Sequence, residues 1–405
     1  MANDNTSCGV AVIGAGPAGL TAAIALAGAG IETQLIGAAP AAMDHRTTAL
    51  LTSSVTALDA LGVWERCRDK AAPLKVMRIA DDRPVLLRAP EVAFEAAEIG
   101  HDAFGYNIEN RNLVAALSAH AATLPALKHI ARNARALALS EADATITLDD
   151  GARVKTRLVI AADGRNSLCR AAAGIAVRSH RYPQTALALT FDHARPHRDT
   201  SVEFHTEAGP FTLVPLPGRR SSLVWVTTPA EAEAVMALDD TALAVRIEQR
   251  SHAILGKVSM LPGRGQFPLT LQTAEQFAAR RVVLVGEAAH VMPPIGAQGL
   301  NLGLRDAAAI AELVGDACGN GSDPGAPQVL DGYNASRRAD IVTRSVAVDA
   351  LNRSLLTAFL PVQGVRGVGL ALLDRVGPLR RAVMREGIAP GAHTPRLMRG
   401  EALRS

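Results

Sequence analysis

A stretch of 22 residues without a charge, Val10 to Ile31, constrains this chain more than any other part of it. It is long enough to cross a bilayer. Gly14, Gly16, Pro17 and Gly19 break it near its start, however, and a strand turning into a packed helix explains it better. Cys8 to Ile13 forms a buried apolar strand, and a helix runs on to about Ala29. Between them lies a Gly-x-Gly-x-x-Gly turn, Gly14-Ala15-Gly16-Pro17-Ala18-Gly19. In a dinucleotide-binding unit the first glycine permits the tight turn. The second lets a pyrophosphate approach the backbone, and the third lets helix and strand pack closely. With 34 glycines in the chain the motif alone is weak, and its strand–turn–helix setting makes it strong.

A second stretch, Val282 to Asp306, has the same logic. Val282 to Gly286 reads as a buried strand, and Glu287 follows at once. Pro293 and Pro294 keep the next loop out of a helix, while Gly296, Gly299 and Gly303 let backbone come close to a flat or bulky group. A helix starts near Leu300, and its first turn offers free N–H groups and a partial positive charge. A strand, an acid and a helix N-terminus around one cleft suit a polar, partly anionic ligand.

The remaining signals set limits. A length of 405 residues suits two to three domains, and 48% apolar content a sizeable core. A formal charge of +3 does not argue for nucleic acid. The cysteines Cys8, Cys67, Cys169 and Cys318 match no metal or redox spacing, and no metal site is expected. Met1 to Ser7 lacks the basic start of a signal peptide, so a cytoplasmic protein is expected.

Glu32 to Ile36 is the second strand, and Gly37 stands where an acid usually holds the adenosine ribose. Arg46 is a candidate pyrophosphate clamp, or equally a solvated loop arginine. Arg111, in the first turn of a helix, opposes the helix dipole and hints at an anionic or acceptor-rich partner. Strands are expected at Lys75 to Leu87, Glu91 to Ile99, His129 to Leu139, Ala144 to Leu148, and Leu158 to Ala162, the last ending in Asp163-Gly164. Thr185 to Leu271 shows short alternating runs between turns, with a helix from about Asp239 to Leu255, and reads as an antiparallel sheet with one covered face. Helices follow at Val329 to Arg353 and from about Leu355 to Met384.

Gly14 to Gly19, Asp163-Gly164 and Gly286-Glu287, in that order and in those settings, resemble the FAD-dependent aromatic hydroxylases that share the para-hydroxybenzoate hydroxylase fold. The run from Pro293 to Asp306, PPIGAQGLNLGLRD, is the most specific part. With HRTTAL from His45, YNIENRNLVAAL from Tyr106 and LVIAADGRNSLCRAAAGI from Leu158, it is most similar to the UbiH/UbiF/COQ6 branch of ubiquinone biosynthesis. The resemblance implies an α/β fold: a Rossmann-like FAD-binding domain in three parts (1–74, 101–180 and 275–345), an inserted, mostly antiparallel substrate domain (75–100 and 181–274), and a helical C-terminal segment (346–405).

It also implies roles. Gly14, Gly16 and Gly19, with Pro17 and Ala18, would hold the FAD pyrophosphate; Arg46 and Arg111 would flank the cofactor, and Ala134 would lie beside the adenine. Asp163 would touch FAD and NAD(P)H, Gly286-Glu287 would hold the ribityl chain, and Gly299, Leu300 and Asn301 would turn N–H groups to the flavin ring. Glu287 stands where the family carries aspartate. Pro293, Pro294 and Trp225 are candidate substrate-lining residues. NAD(P)H and O2 would be co-substrates, and oxygen would reach the ring through a flavin C4a-hydroperoxide, so no side-chain acid–base pair is required. The favoured substrate is a polyprenylated phenol of ubiquinone biosynthesis. The alternatives are a small soluble aromatic acid, or a non-catalytic flavin-binding role in a quinone-biosynthesis complex. The arginine-rich tail, with Leu355-Leu356, Phe359-Leu360 and Leu370 to Leu373, suggests peripheral docking at the inner membrane surface.

Overall fold

The computed structural model describes residues 5–38, 44–83, 90–356, 376–388 and 394–403. Its first sheet has a parallel core in the spatial order Val282–Leu284, Arg153–Ala161, Asn5–Ile13, Thr33–Ile36, Leu127–Ile130. Buried strands need no alternation when both faces are covered. Arg153–Ala161 shows both regimes: it alternates at its start, where it pairs with the antiparallel strand Ala144–Leu148, and is continuously buried at its end. The helix Pro17–Gly28 is apolar on every side because helices Asn110–Ala121 and Gln298–Gly319 pack against it, which accounts for the uncharged stretch.

The chain order reverses between Asn5–Ile13 and Arg153–Ala161. Ligands of open α/β sheets bind beyond the carboxyl ends of strands at such a switch point. The Gly14 turn and the Asp163 turn leave those two ends side by side, tied by Ala162 N–H donating to Ile13 O at 2.7 Å.

The second sheet has eight strands in the order His290–Val291, Val258–Ala274, Val177–His193, Arg220–Thr227, Pro210–Leu216, Thr200–His205, Val76–Asp81, Val92–Glu95. All pairs are antiparallel except Thr200–His205 with Val76–Asp81. One face carries Leu187, Leu189, Phe191, Leu213, Leu223 and Trp225 into a core closed by helices Pro229–Met236 and Asp240–Arg250. The other face turns Ala186, Val224 and Leu269 towards the first sheet. A small sheet of Thr47–Leu51, Ala71–Pro73 and Gly105–Glu109 lies at the join, where Thr47 Oγ1 donates to Ser222 Oγ at 2.9 Å. Helix Pro327–Leu356 runs beside both sheets, and helix Gly377–Ile388 seats Met384 against Val92 and Phe94.

Several elements differ from the sequence reading. His129 to Leu139 is two strands, Leu127–Ile130 and Ala134–Leu139, because a turn closed by Arg132 N–H on Ile130 O separates them. The short runs within Thr185 to Leu271 belong partly to two 17-residue strands, whose register shift between Arg181 and Thr185 accommodates Pro183. Helix Pro229–Met236, capped by Thr228, was not anticipated. Phe359, Leu360 and Leu370 to Leu373 lie outside the described residues, as do the side chains of Leu355 and Leu356.

Candidate functional site

A cleft of about 460 Å³ opens between the strand ends of the first sheet and the Ala186–Val224 face of the second. At its base the three glycines of the first turn occupy three different environments. A Cβ on Gly14, whose φ is +114°, would stand 2.1 Å from Ala162 O, and one on Gly19 would stand 1.9 Å from Gly14 O. These two glycines let backbone meet backbone. A Cβ on Gly16 would meet nothing within 4 Å, so this glycine leaves room for a ligand. Gly16 also precedes Pro17–Gly28 as a cap without a side-chain hydrogen bond, and no acid lies in that helix's first turn. Its free N–H groups suit a phosphate.

Beside it lies the Gly286 turn, where a Cβ on Gly286 would come within 3.3 Å of the Ala18 side chain. Gly286 has φ +62°, and a Cβ on Gly303 would come within 3.2 Å of its Cα, so the turn sits directly on helix Gln298–Gly319. Glu287 is exposed on the cleft wall. Arg46 lines the same cleft. Its Nε and Nη2 donate to both oxygens of Asp44 at 2.9 and 2.8 Å, and its guanidinium lies 5.7 Å from the Phe267 ring centroid. The bond to Asp44 raises the Arg46 pKa, and the Glu287 charge adds to that shift. Burial works to raise Asp44, but its bonds from Arg46 and Asn110 bring it below the usual carboxylate range.

Helix Gln298–Gly319 starts after Ala297, which has φ +55° and no side-chain cap, leaving first-turn N–H groups unpaired by side chains. Gly299 and Leu300 line the cleft, and a Cβ on Gly299 would meet nothing within 4 Å. Asn301 instead staples the helix to Thr47–Leu51: Leu51 N–H donates to its Oδ1 at 2.9 Å, and its Nδ2 donates to Ala49 O at 2.8 Å. Asp163 Oδ2 accepts from Cys169 N–H at 3.1 Å, while its Oδ1 is buried without a partner among the described residues. Such an orphan oxygen beside a ligand cleft fits a bound hydroxyl or N–H donor. Burial, with Asp163 adding to it, pushes the Cys169 thiol far up, so it stays protonated.

The cleft thus brings together Gly16, Pro17, Ala18, Gly19, Arg46, Gly286, Glu287, Pro293, Pro294, Gly299 and Leu300. Gly14, Asp163 and Asn301 adjoin this lining without being part of it, and three further candidates lie elsewhere. Trp225 is 1% exposed on the sheet face turned away from the cleft, against Phe211 and the Arg250 guanidinium, because strand alternation puts Val224 on the cleft side. Arg111 is held by buried Glu109 at 2.7 Å, the acceptor that offsets its position in the helix's first turn. Ala134 opens an antiparallel arm, paired with Leu148. Gly37 also gains a reason: a Cβ there would stand 2.8 Å from Ala15 N, so any larger residue requires the nucleotide turn to shift.

Sequence reasoning missed the groups beneath the Gly286 turn. Asp306 is fully buried; Oδ2 accepts from Gly286 N–H at 3.0 Å and pairs with His290 Nε2 at 2.7 Å, while Oδ1 accepts from Arg337 Nε at 2.8 Å. Burial works to raise the Asp306 pKa, but His290, Arg337 and the Gly286 N–H outweigh it and leave it low. The available signal was one acid, Asp306, inside an otherwise apolar helical face; Arg337 lies among polar residues and carried none.

A nucleotide turn, an acid turn and an uncapped helix N-terminus facing an apolar sheet define a flavoprotein that works on a flat organic substrate. The chain belongs to the FAD binding domain family, whose model it matches over residues 7–347. It is 37% identical to the ubiquinone hydroxylase UbiL of Rhodospirillum rubrum, over 97% of this chain and 93% of that protein. It is 30% identical to the 3-demethoxyubiquinol 3-hydroxylase of Escherichia coli, over 95% and 99%. In fold it is similar to p-nitrophenol 4-monooxygenase PnpA of Pseudomonas putida, with a TM-score of 0.78 at 19% identity over 96% of this chain and 100% of that one. It is an FAD-dependent monooxygenase of the aromatic-hydroxylase class, for which NAD(P)H and O2 are the typical co-substrates.

Proposed function

We propose that this enzyme hydroxylates the aromatic ring of a polyprenylated ubiquinone precursor. The observation that carries the reading is the two-sided cleft: phosphate-binding and hydroxyl-binding groups on one wall, and Ala186, Val224 and Leu269 on the other. The named substrates of its relatives from R. rubrum and E. coli point the same way.

The residues divide the work by chemistry. Gly16 and the N-terminus of Pro17–Gly28 receive the FAD pyrophosphate. Glu287, on the cleft lining, accepts hydroxyl donors of the cofactor. The unpaired oxygen of Asp163, between the lining residues Ala162 and Gly164, is a second acceptor that a small shift of that turn would offer to it. The first turn of Gln298–Gly319 presents N–H groups to the ring system, where negative charge is stabilised. Bound FAD supplies the redox chemistry, electrons from NAD(P)H and one oxygen atom from O2. The apolar sheet face holds the substrate ring and keeps water from it. His290 is fully buried and engaged by Asp306, so it is placed for structure rather than proton transfer.

We further propose peripheral docking at a membrane. Among the described residues no helix is long and apolar enough to cross one. Helix Gly377–Ile388 exposes Leu379 and Val383, with Val376 just before it and Arg381 and Arg385 alongside. This pattern suits an anionic lipid interface and a greasy substrate, and association with a quinone-biosynthesis complex fits the same role. Deleting the gene in its host tests the substrate. A quinone precursor lacking one ring hydroxyl should accumulate, and an unchanged quinone pool would overturn the assignment.

A further inference from the structure

Helix Pro327–Leu356 reaches both walls of the cleft with polar side chains. Arg337 is 2% exposed and binds Asp306, which holds the Gly286 N–H and His290. Arg337 Nη1 also donates to Asp340 Oδ2 at 2.8 Å, and Asp340 Oδ1 accepts from Arg344 Nε at 2.8 Å. Arg344 in turn binds Oε1 of Gln298, the first residue of the helix whose N-terminus faces the cleft. About one and two turns further on, the helix meets the second sheet. Tyr182 Oη donates to Asp349 Oδ1 at 2.6 Å, and Asn352 Nδ2 donates to Gln184 Oε1 at 2.9 Å.

We propose that Arg337 is a positioning residue for the bound flavin. Through Asp306 it sets the Gly286-Glu287 turn, and through Asp340 and Arg344 it sets the start of helix Gln298–Gly319. The same helix grips the substrate sheet, so one rigid element places both the cofactor and the ring it must reach. Stability is a poor account of this arginine. A buried ion pair is often no more stabilising than apolar residues of its shape. Moreover, Nη2 of Arg337 is buried with no partner among the described residues, a cost that packing alone would not retain. The Gly286 turn has a left-handed backbone and a bare glycine, Gly303, beneath it, so its placement depends on what anchors its N–H.

The inference rests on FAD binding at this cleft, and titration separates the two. Apo protein is titrated with FAD, and melting is recorded with and without it, for the parent, Arg337→Met, Arg337→Lys, Arg344→Met and Arg281→Met. Arg281, in the turn just before strand Val282–Leu284 and so at the end away from the Gly286 turn, binds Asp323 and the carbonyls of Glu141 and Arg157, which makes it the structural control. Arg337→Met should raise the FAD Kd at least about tenfold and shrink the FAD-induced gain in Tm, with part of the loss restored in Arg337→Lys. Arg344→Met should raise the Kd about threefold, and it carries the test if Arg337→Met does not fold. Arg281→Met should lower Tm and keep the parent Kd. Arg337→Met and Arg344→Met proteins that, like Arg281→Met, melt lower but bind FAD as the parent does would overturn the proposal. A parent that fails to bind FAD would instead refute the cofactor assignment.

Discussion

At the scale of single residues the cleft separates positions that make the fold from positions that make room. Gly14 and Gly16 are two residues apart in one motif, yet a Cβ clashes with Ala162 O at the first and meets nothing at the second. Gly14→Ala should therefore lower the Tm of the apo protein. Gly16→Ala should leave it near the parent value and weaken FAD binding, because the methyl group takes ligand space. Equal losses of Tm in the two apo proteins would count against this division. Glu287 offers a second contrast. Hydrogen bonds to a charged acceptor contribute roughly 1.5–3 kcal/mol, so Glu287→Ala should weaken FAD binding by about ten- to a hundredfold. Glu287→Gln should fall between, and Glu287→Asp should stay within a few-fold of the parent. Arg111→Ala, whose parent side chain is occupied by Glu109, should change affinity less than Glu287→Ala. FAD titration of the apo variants ranks them, and unchanged affinity in folded Glu287→Ala would place the carboxylate outside the site.

At the scale of elements, the helices around the cleft are joined by buried ion pairs with a pH signature. For Asp340, burial works to raise the pKa, but Arg337, Arg305 and Arg344 outweigh it and hold it below the ordinary value. A carboxylate depressed in the folded state stabilises fully above its unfolded pKa, about 3.9, and loses that contribution as pH falls through the folded value. The Tm deficit of Asp340→Asn at neutral pH should accordingly shrink as the pH drops below about 4. A deficit independent of pH would show that the lost charge is not its cause. These pairs also mark the limit of what the sequence displays. The two turns at Gly14 and Gly286 were legible because glycine and proline act on their own neighbours. The staple from Asn301 to Ala49, 252 residues apart, and the bond from Arg337 to Asp306, 31 apart, depend on tertiary placement and leave no local pattern. Trp225 shows the same limit on a strand. Alternation declared two faces but not which one met the cleft.

At the scale of the molecule, two sheets of different character face each other across the cleft proposed for cofactor and substrate. The parallel sheet supplies turns and helix N-termini, and the antiparallel sheet supplies an apolar wall. The proposed membrane docking would give helix Gly377–Ile388 a role in substrate delivery, with Leu379 and Val383 44% and 47% exposed beside Arg381 and Arg385. In liposome sedimentation the protein should bind anionic vesicles, less so at high salt, and Leu379→Asp with Val383→Asp should abolish binding without lowering Tm. Binding that survives both changes would remove this helix from the interface. The central claim is that the cleft transfers oxygen from O2 to the ring of a quinone precursor. Its most direct test is turnover of the FAD-loaded enzyme with NAD(P)H and a short-chain polyprenyl phenol under isotope-labelled dioxygen. The account predicts a hydroxylated ring carrying a single labelled oxygen atom per product molecule, and NAD(P)H consumption that yields only hydrogen peroxide and unlabelled phenol would contradict it.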